Sequence, residues 1–189
     1  MTLNHPIDAP TTRNKFKLAR IILLAILIAG AAGLRLVPHP PNFTPIGALA
    51  LFGGACFRGR RAAFLVPLTA LFLGDLVIGL HVLIPVVYGS FALNVVLGRW
   101  LRRRRRLVTL ALLTFAGSVQ FFVVTNFACW VLWYPHTIAG LLACYVAAVP
   151  FFQNTLLGDA VFVAVMFGAM AFAEARFPAI RERPIPISV

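Results

Sequence analysis

Basic clusters recur after every second apolar run of this chain, and that rhythm constrains its fold more than any other feature. Arg13, Lys15, Lys17 and Arg20 precede the first run. Arg58, Arg60 and Arg61 follow the second, Arg99 and Arg102 to Arg106 the fourth, and Arg176, Arg181 and Arg183 the last. Of the 17 lysines and arginines, only Arg35 falls on the other side. Positive charge in short loops stays cytoplasmic. The pattern therefore predicts an even number of membrane spans with both termini inside.

Composition agrees. Hydrophobic residues make up 61% of the chain, against roughly 45–50% in a soluble domain, and mean hydropathy is +0.92. The 189 residues suit one membrane domain over 18–176, with tails 1–17 and 177–189. The net charge of +12 implies no nucleic-acid partner, because topology accounts for it. Arg102 to Arg106 reads as a stop-transfer anchor beside anionic headgroups, at about 1 kcal/mol per basic residue. A cleaved signal peptide ending near Ala29-Gly30-Ala31 would leave five spans and break the charge parity. Cys56, Cys129 and Cys144 lack metal-site spacing and read as small buried apolar residues.

The predicted architecture is an all-α integral membrane protein with six spans, at about 18–36, 44–57, 62–80, 82–98, 107–132 and 154–174. Residues 1–17 are polar and read as loose. Span two is too short. It reaches about 21 Å against a hydrocarbon core of about 30 Å, so His39 to Phe43 must fill the missing depth as irregular backbone. Such backbone survives only where it is buried in protein or lines a wet cavity. Thr44 and Pro45 suit an N-cap and first turn. A positive helix end facing a cavity suits a polar or anionic group on a ligand. Ile138 to Val149, between Pro135 and Pro150, is too short to span and reads as a re-entrant or interfacial helix. A surface-lying connector is the alternative.

Only two acids lie inside spans. Asp75 and Asp159 each stand about five residues from an outer span end, about 7–8 Å deep. An acid at that depth is costly unless paired or wet, and is a functional candidate by default. The competing reading pairs Arg35 with one of them as a helix tie. His39, His81 and His136 gather at outer span ends, as ligand contacts or as hydrogen-bonding caps. Asn42, Phe43, Tyr88, Asn126, Tyr134 and Asn154 complete the candidate substrate-binding set, while Trp133 reads as part of the interfacial belt. Ala25, Ala29 and Gly33 recur every four residues, a smooth stripe for close helix approach within the bundle or to a separate membrane partner.

The run His39-Pro40-Pro41-Asn42-Phe43-Thr44-Pro45, with Leu51-Phe52-Gly53-Gly54, Gly74-Asp75, Gly79-Leu80-His81 and Tyr145 to Asp159, resembles an uncharacterised family of bacterial membrane proteins. That family is similar in turn to the substrate-binding S components of energy-coupling factor (ECF) vitamin transporters. The resemblance implies a six-helix bundle in the bacterial inner membrane, with a vitamin held near the outer face. Its lids would be His39 to Thr44, His81 with Tyr88, and Tyr134 to Asn154. Ala25, Ala29 and Gly33 would dock to a transmembrane scaffold carrying two cytoplasmic ATPases. The cobalamin-binding kind is the first comparison, but Leu80, His81 and Tyr88 stand where it carries a cobalt-ligating cysteine. The expected function is uptake of a vitamin-like micronutrient, with a corrinoid as first guess. A divalent-metal permease using the rim histidines, an intramembrane enzyme using Asp75 and Asp159, and a purely structural protein are the alternatives. The chain has no phosphate-binding loop, HExxH or GxSxG, so catalysis, a resident metal and a cofactor are not expected.

Overall fold

The computed structural model describes residues 10–103 and 106–181. They form six α-helices: α1 Pro10–Leu34, α2 Ile46–Cys56, α3 Arg60–Ile78, α4 Ile84–Arg103, α5 Leu107–Trp133 and α6 Ile138–Arg176. A 3-10 turn, Pro178–Ile180, follows. No strand occurs among the described residues. Helices α3 to α6 are each long and apolar enough to cross a membrane, while α1 contributes the shorter apolar stretch Leu18–Leu34.

The short helix is the centre of the bundle. Every residue of α2 except Gly47 is buried, and all five other helices touch it. A helix apolar all round has no face to offer water and goes to the core. Its most extensive neighbour is α4, because two glycines let the backbones meet. A Cβ added at Gly54 would lie 3.0 Å from the Gly98 Cα, and one at Gly98 would strike the Leu51 carbonyl. The C-terminal carbonyls of α2 accept hydrogen bonds from α4. Arg99 donates to the Phe57 and Arg58 oxygens at 3.2 and 3.4 Å, and Arg102 to those of Ala55 and Cys56 at 3.3 and 3.5 Å. Cations there complement the negative helix end.

At 1.5 Å per residue, α2 is about 16 Å long, half of a bilayer's hydrocarbon core. Residues 35–45 complete its column as a strap. Pro40 to Phe43 form a turn in which the Phe43 N–H donates to the Pro40 carbonyl at 3.0 Å. Asn42 takes φ +63°, which suits the third position of a type II turn after Pro41 and which asparagine tolerates. The strap lies on α6. Asn154 donates to the Pro41 carbonyl at 2.9 Å, and the Phe43 and Phe162 rings sit 5.6 Å apart. A Cβ at Gly158 would press on Thr44 N and the Phe43 backbone.

Two expectations need correction. Residues 138–149 do not form a separate helix; they are the first third of the 39-residue α6, about 58 Å long. Thr137 caps its start, accepting from the Gly140 N–H at 3.0 Å. Pro150 costs one backbone donor, yet the helix continues because its first turns lean on α5. Tyr145 donates to the Val123 carbonyl at 2.7 Å, Cys144 to that of Asn126 at 3.4 Å, and Phe122 receives Tyr145 and Phe152 at ring separations of 5.4 and 4.6 Å. Aromatic packing compensates for what proline removes. The N-terminal tail is also not loose throughout, since helical backbone begins at Pro10; residues 1–9 lie outside the described residues. At the other end, Arg20 pairs with Glu174 at 2.7 Å and donates to the Ile180 carbonyl at 3.0 Å, tying the buried Ile180 to α1. Residues 182–189 are likewise outside the described residues.

Candidate functional site

Each buried aspartate heads its own network. Asp75, only 1% exposed, receives Arg35 at 2.5 Å on one oxygen and the Tyr88 hydroxyl at 2.7 Å on the other. Arg35 also donates to the Leu71 carbonyl at 3.1 Å. It can lie across α3 because residue 74 is glycine, where a Cβ would meet its Nη1. A charged pair with its hydrogen bonds made ties the segment after α1 to α3 and α4, the helix tie expected of Arg35.

Asp159 is different. It is 5% exposed and forms no ion pair among the described residues. Ser118 donates to its Oδ2 at 2.6 Å, the Ala48 N–H faces the carboxylate, and Gly47 lies so close that a Cβ there would overlap it. The carboxylate therefore complements the positive end of α2 from another helix. Thr44 was expected to cap that end. Instead Pro45 holds the cap position with φ −78° and ψ 5° and no side-chain cap bond. First-turn donors buried without water must still be satisfied, and a charged acceptor does so at the positive helix end.

The place of Asp159 along its helix also differs from the expectation. Because α6 starts at Ile138, Asp159 stands about 30 Å along that helix, not five residues from its start. Its level is fixed by its neighbours. Gln120, two residues from Ser118, donates to Asn94 Oδ1 and to the Ser90 carbonyl, both at 3.0 Å. Asn94 stands halfway along α4, about 15 Å from either end, seated on Gly117, where a Cβ would press on its amide.

Between these groups is a hollow of about 40 Å³, lined by Asn42, Thr44, Gly47, Asn94, Thr155 and Asp159, with Phe91 and Phe121 as apolar walls. A smaller one of about 10 Å³ adjoins it and shares Gly47, Asn94 and Asp159. A water needs roughly 10–15 Å³, so the larger holds about three. Beside it the Ser90 hydroxyl and Gln120 Oε1 are buried without a hydrogen-bond partner. Ser118 has one proton and two acceptors within reach, Asp159 and the Thr114 carbonyl at 3.2 Å.

A model of the family of unknown function DUF6580 matches residues 15–180, most of the chain. The chain belongs to DUF6580. No curated protein and no solved structure matches it. Every residue around the hollow falls within the DUF6580 match.

The other candidates scatter. Phe43 and Asn154 hold the strap to α6, and Tyr88 belongs to the Asp75 network. Exposed His39 spans the Pro40 and Arg35 carbonyls at 2.9 and 3.2 Å. His81 is exposed in the turn between α3 and α4. His136 meets the Val131 carbonyl at 2.9 Å and the Trp130 ring. No three His, Cys, Asp or Glu side chains gather as a metal-binding group among the described residues. Asn126 donates to Phe122 in its own helix at 2.7 Å, and Tyr134 ends α5; neither lines the hollow. On α1 of this DUF6580 chain the buried face is Leu24, Ile28 and Ala31. Ala25, Ala29 and Gly33 are exposed, and nothing lies within 4 Å of a Cβ built at Gly33. The stripe thus faces away from the bundle rather than packing inside it. Sequence reasoning missed Ser118, Gln120, Ser90 and Thr155. Their signal was present as polar side chains well inside α5, α4 and α6, which a bilayer makes costly.

Proposed function

We propose that this protein is a multi-pass subunit of the bacterial inner membrane that captures a small micronutrient from outside, organised like an ECF S component. In this reading α1, the half-length α2 with its strap, and α3 to α6 make six crossings, and both termini are cytoplasmic as the basic clusters require. The observation that carries the reading is the polar hollow beneath the strap, level with the middle of α4, in a largely apolar bundle. Carrier sites lie near the bilayer midplane, where a broken helix points its N-terminus into a cavity, and α2 has that length and place. The volume favours a solute of a few heavy atoms over a corrinoid, since drug-sized ligands need about 300–1,000 Å³. The outward stripe of Ala25, Ala29 and Gly33 supports docking to a transmembrane scaffold energised by cytoplasmic ATPases. Separate networks around Asp75 and Asp159, and histidines that do not cluster, give the enzyme and metal-permease readings less support.

The test is native mass spectrometry of protein purified from cells grown in rich medium. The wild type is expected to carry a small polar molecule that Thr155→Val and Asn42→Ala lose while remaining folded. A wild type that carries none, and shows no thermal shift with a library of small polar nutrients, refutes the proposal.

A further inference from the structure

We infer that the hollow beside Asp159 is a binding site for one monovalent alkali cation. The inference goes beyond solute capture and does not depend on it. Its first ground is charge. Asp159 has no cationic partner among the described residues, because Arg35, the basic residue apart from the cytoplasmic clusters, is committed to Asp75. A buried carboxylate without a countercharge carries a large desolvation penalty. The N-terminus of α2 supplies about half a positive charge, leaving roughly half a negative charge in the hollow. One monovalent cation leaves about half a positive charge; a divalent ion would leave about one and a half in a dry interior.

The second ground is the ligand set. Asp159, Thr44, Thr155, Asn94 and Asn42 offer carboxylate, hydroxyl and amide oxygens, the donors of hard cations. No thiol or imidazole lines the hollow, and no second carboxylate does, as a divalent ion would favour. Room for about three water-sized occupants suits an ion with one or two waters. Behind the lining, Gln120 holds Asn94 Oδ1 at 3.0 Å, and the buried Ser90 hydroxyl and Gln120 Oε1 are without partners. Of the polar or anionic ligand group expected from the sequence, the anionic option loses ground: the protein's own aspartate lies at the positive helix end, so the hollow beside it favours positive charge.

A cation there would bridge α6 through Asp159 and Thr155, α4 through Asn94, and the strap through Thr44. Strap closure would then depend on the ion.

The test is thermal unfolding of the purified full chain in detergent at constant ionic strength, with choline chloride replaced stepwise by LiCl, NaCl or KCl. One alkali cation is expected to raise Tm saturably by several degrees, since binding to the folded state alone is stabilising. Asp159→Asn is expected to abolish that dependence. Should that variant not fold, Thr155→Val and Asn42→Ala, which leave the α2 cap in place, must weaken it. A wild-type Tm that ignores alkali-cation identity overturns the inference, as does one that responds to pH alone or more strongly to magnesium. Cation dependence without a captured solute would leave this inference standing and sink the capture reading; the reverse result would do the opposite.

Discussion

Removing the Asp75 carboxylate should reveal how much of the bundle's stability depends on the network of Arg35, Asp75 and Tyr88. In an Asp75→Ala variant, Arg35 loses its 2.5 Å partner and Tyr88 its 2.7 Å acceptor. The Arg35 side chain is only 14% exposed, so its charge is left largely stranded. Breaking a buried pair in this way costs about 3–5 kcal/mol. For a chain of this length that is a fall in Tm of roughly 6–20 °C. Tyr88→Phe removes one hydrogen bond to a charged group and should cost less, about 1.5–3 kcal/mol. A triple variant, Arg35→Met with Asp75→Val and Tyr88→Phe, removes every member together and should recover most of the loss, because an apolar replacement of a whole buried pair is often neutral or better. The assay is thermal unfolding in detergent followed by circular dichroism, with exposed Val77→Ala as control. If Asp75→Ala unfolds with the control, or if the triple variant is worse than the single, the network is not the tie described here.

Other outcomes follow from the same contacts. Gly98→Ala places a methyl against the Leu51 carbonyl and the Gly54 Cα and should destabilise by at least the 1–3 kcal/mol typical of overpacking, read as a lowered Tm. Thr44→Val should leave the helix content of α2 intact, because the cap position is Pro45 with no side-chain cap bond and the charged acceptor at the first turn is Asp159; by circular dichroism it should lose far less helix than Asp159→Ala. Asn154→Ala releases the Pro41 carbonyl and should raise the rate at which a cysteine placed at Asn42 reacts with a water-soluble maleimide. Ala29→Trp on the exposed stripe should leave Tm within about 0.5 kcal/mol-equivalent of wild type, while lowering uptake in cells if that face meets a partner.

The all-helical class, the helix ends from α2 to α5 within a few residues, and the short second helix were legible in the chain itself. Helix length is set by where apolar runs stop, and the runs of this chain stop at arginines, prolines and glycines. Asp75 and Asp159 were also visible as candidates, because polar groups inside apolar runs are costly whatever the fold, and Asn42 and Phe43 were visible because a second span too short for a bilayer leaves its flanking segment to fill the depth. The tertiary structure alone decided which aspartate found Arg35, since pairing depends on which helices touch and on Gly74 admitting the guanidinium. It decided that residues 138–149 belong to α6, because contacts with α5, not local propensity, carry the helix past Pro150. It also decided that the helix end expected to meet a ligand meets Asp159, a residue far away in sequence; a cap supplied across the bundle leaves no local motif to read.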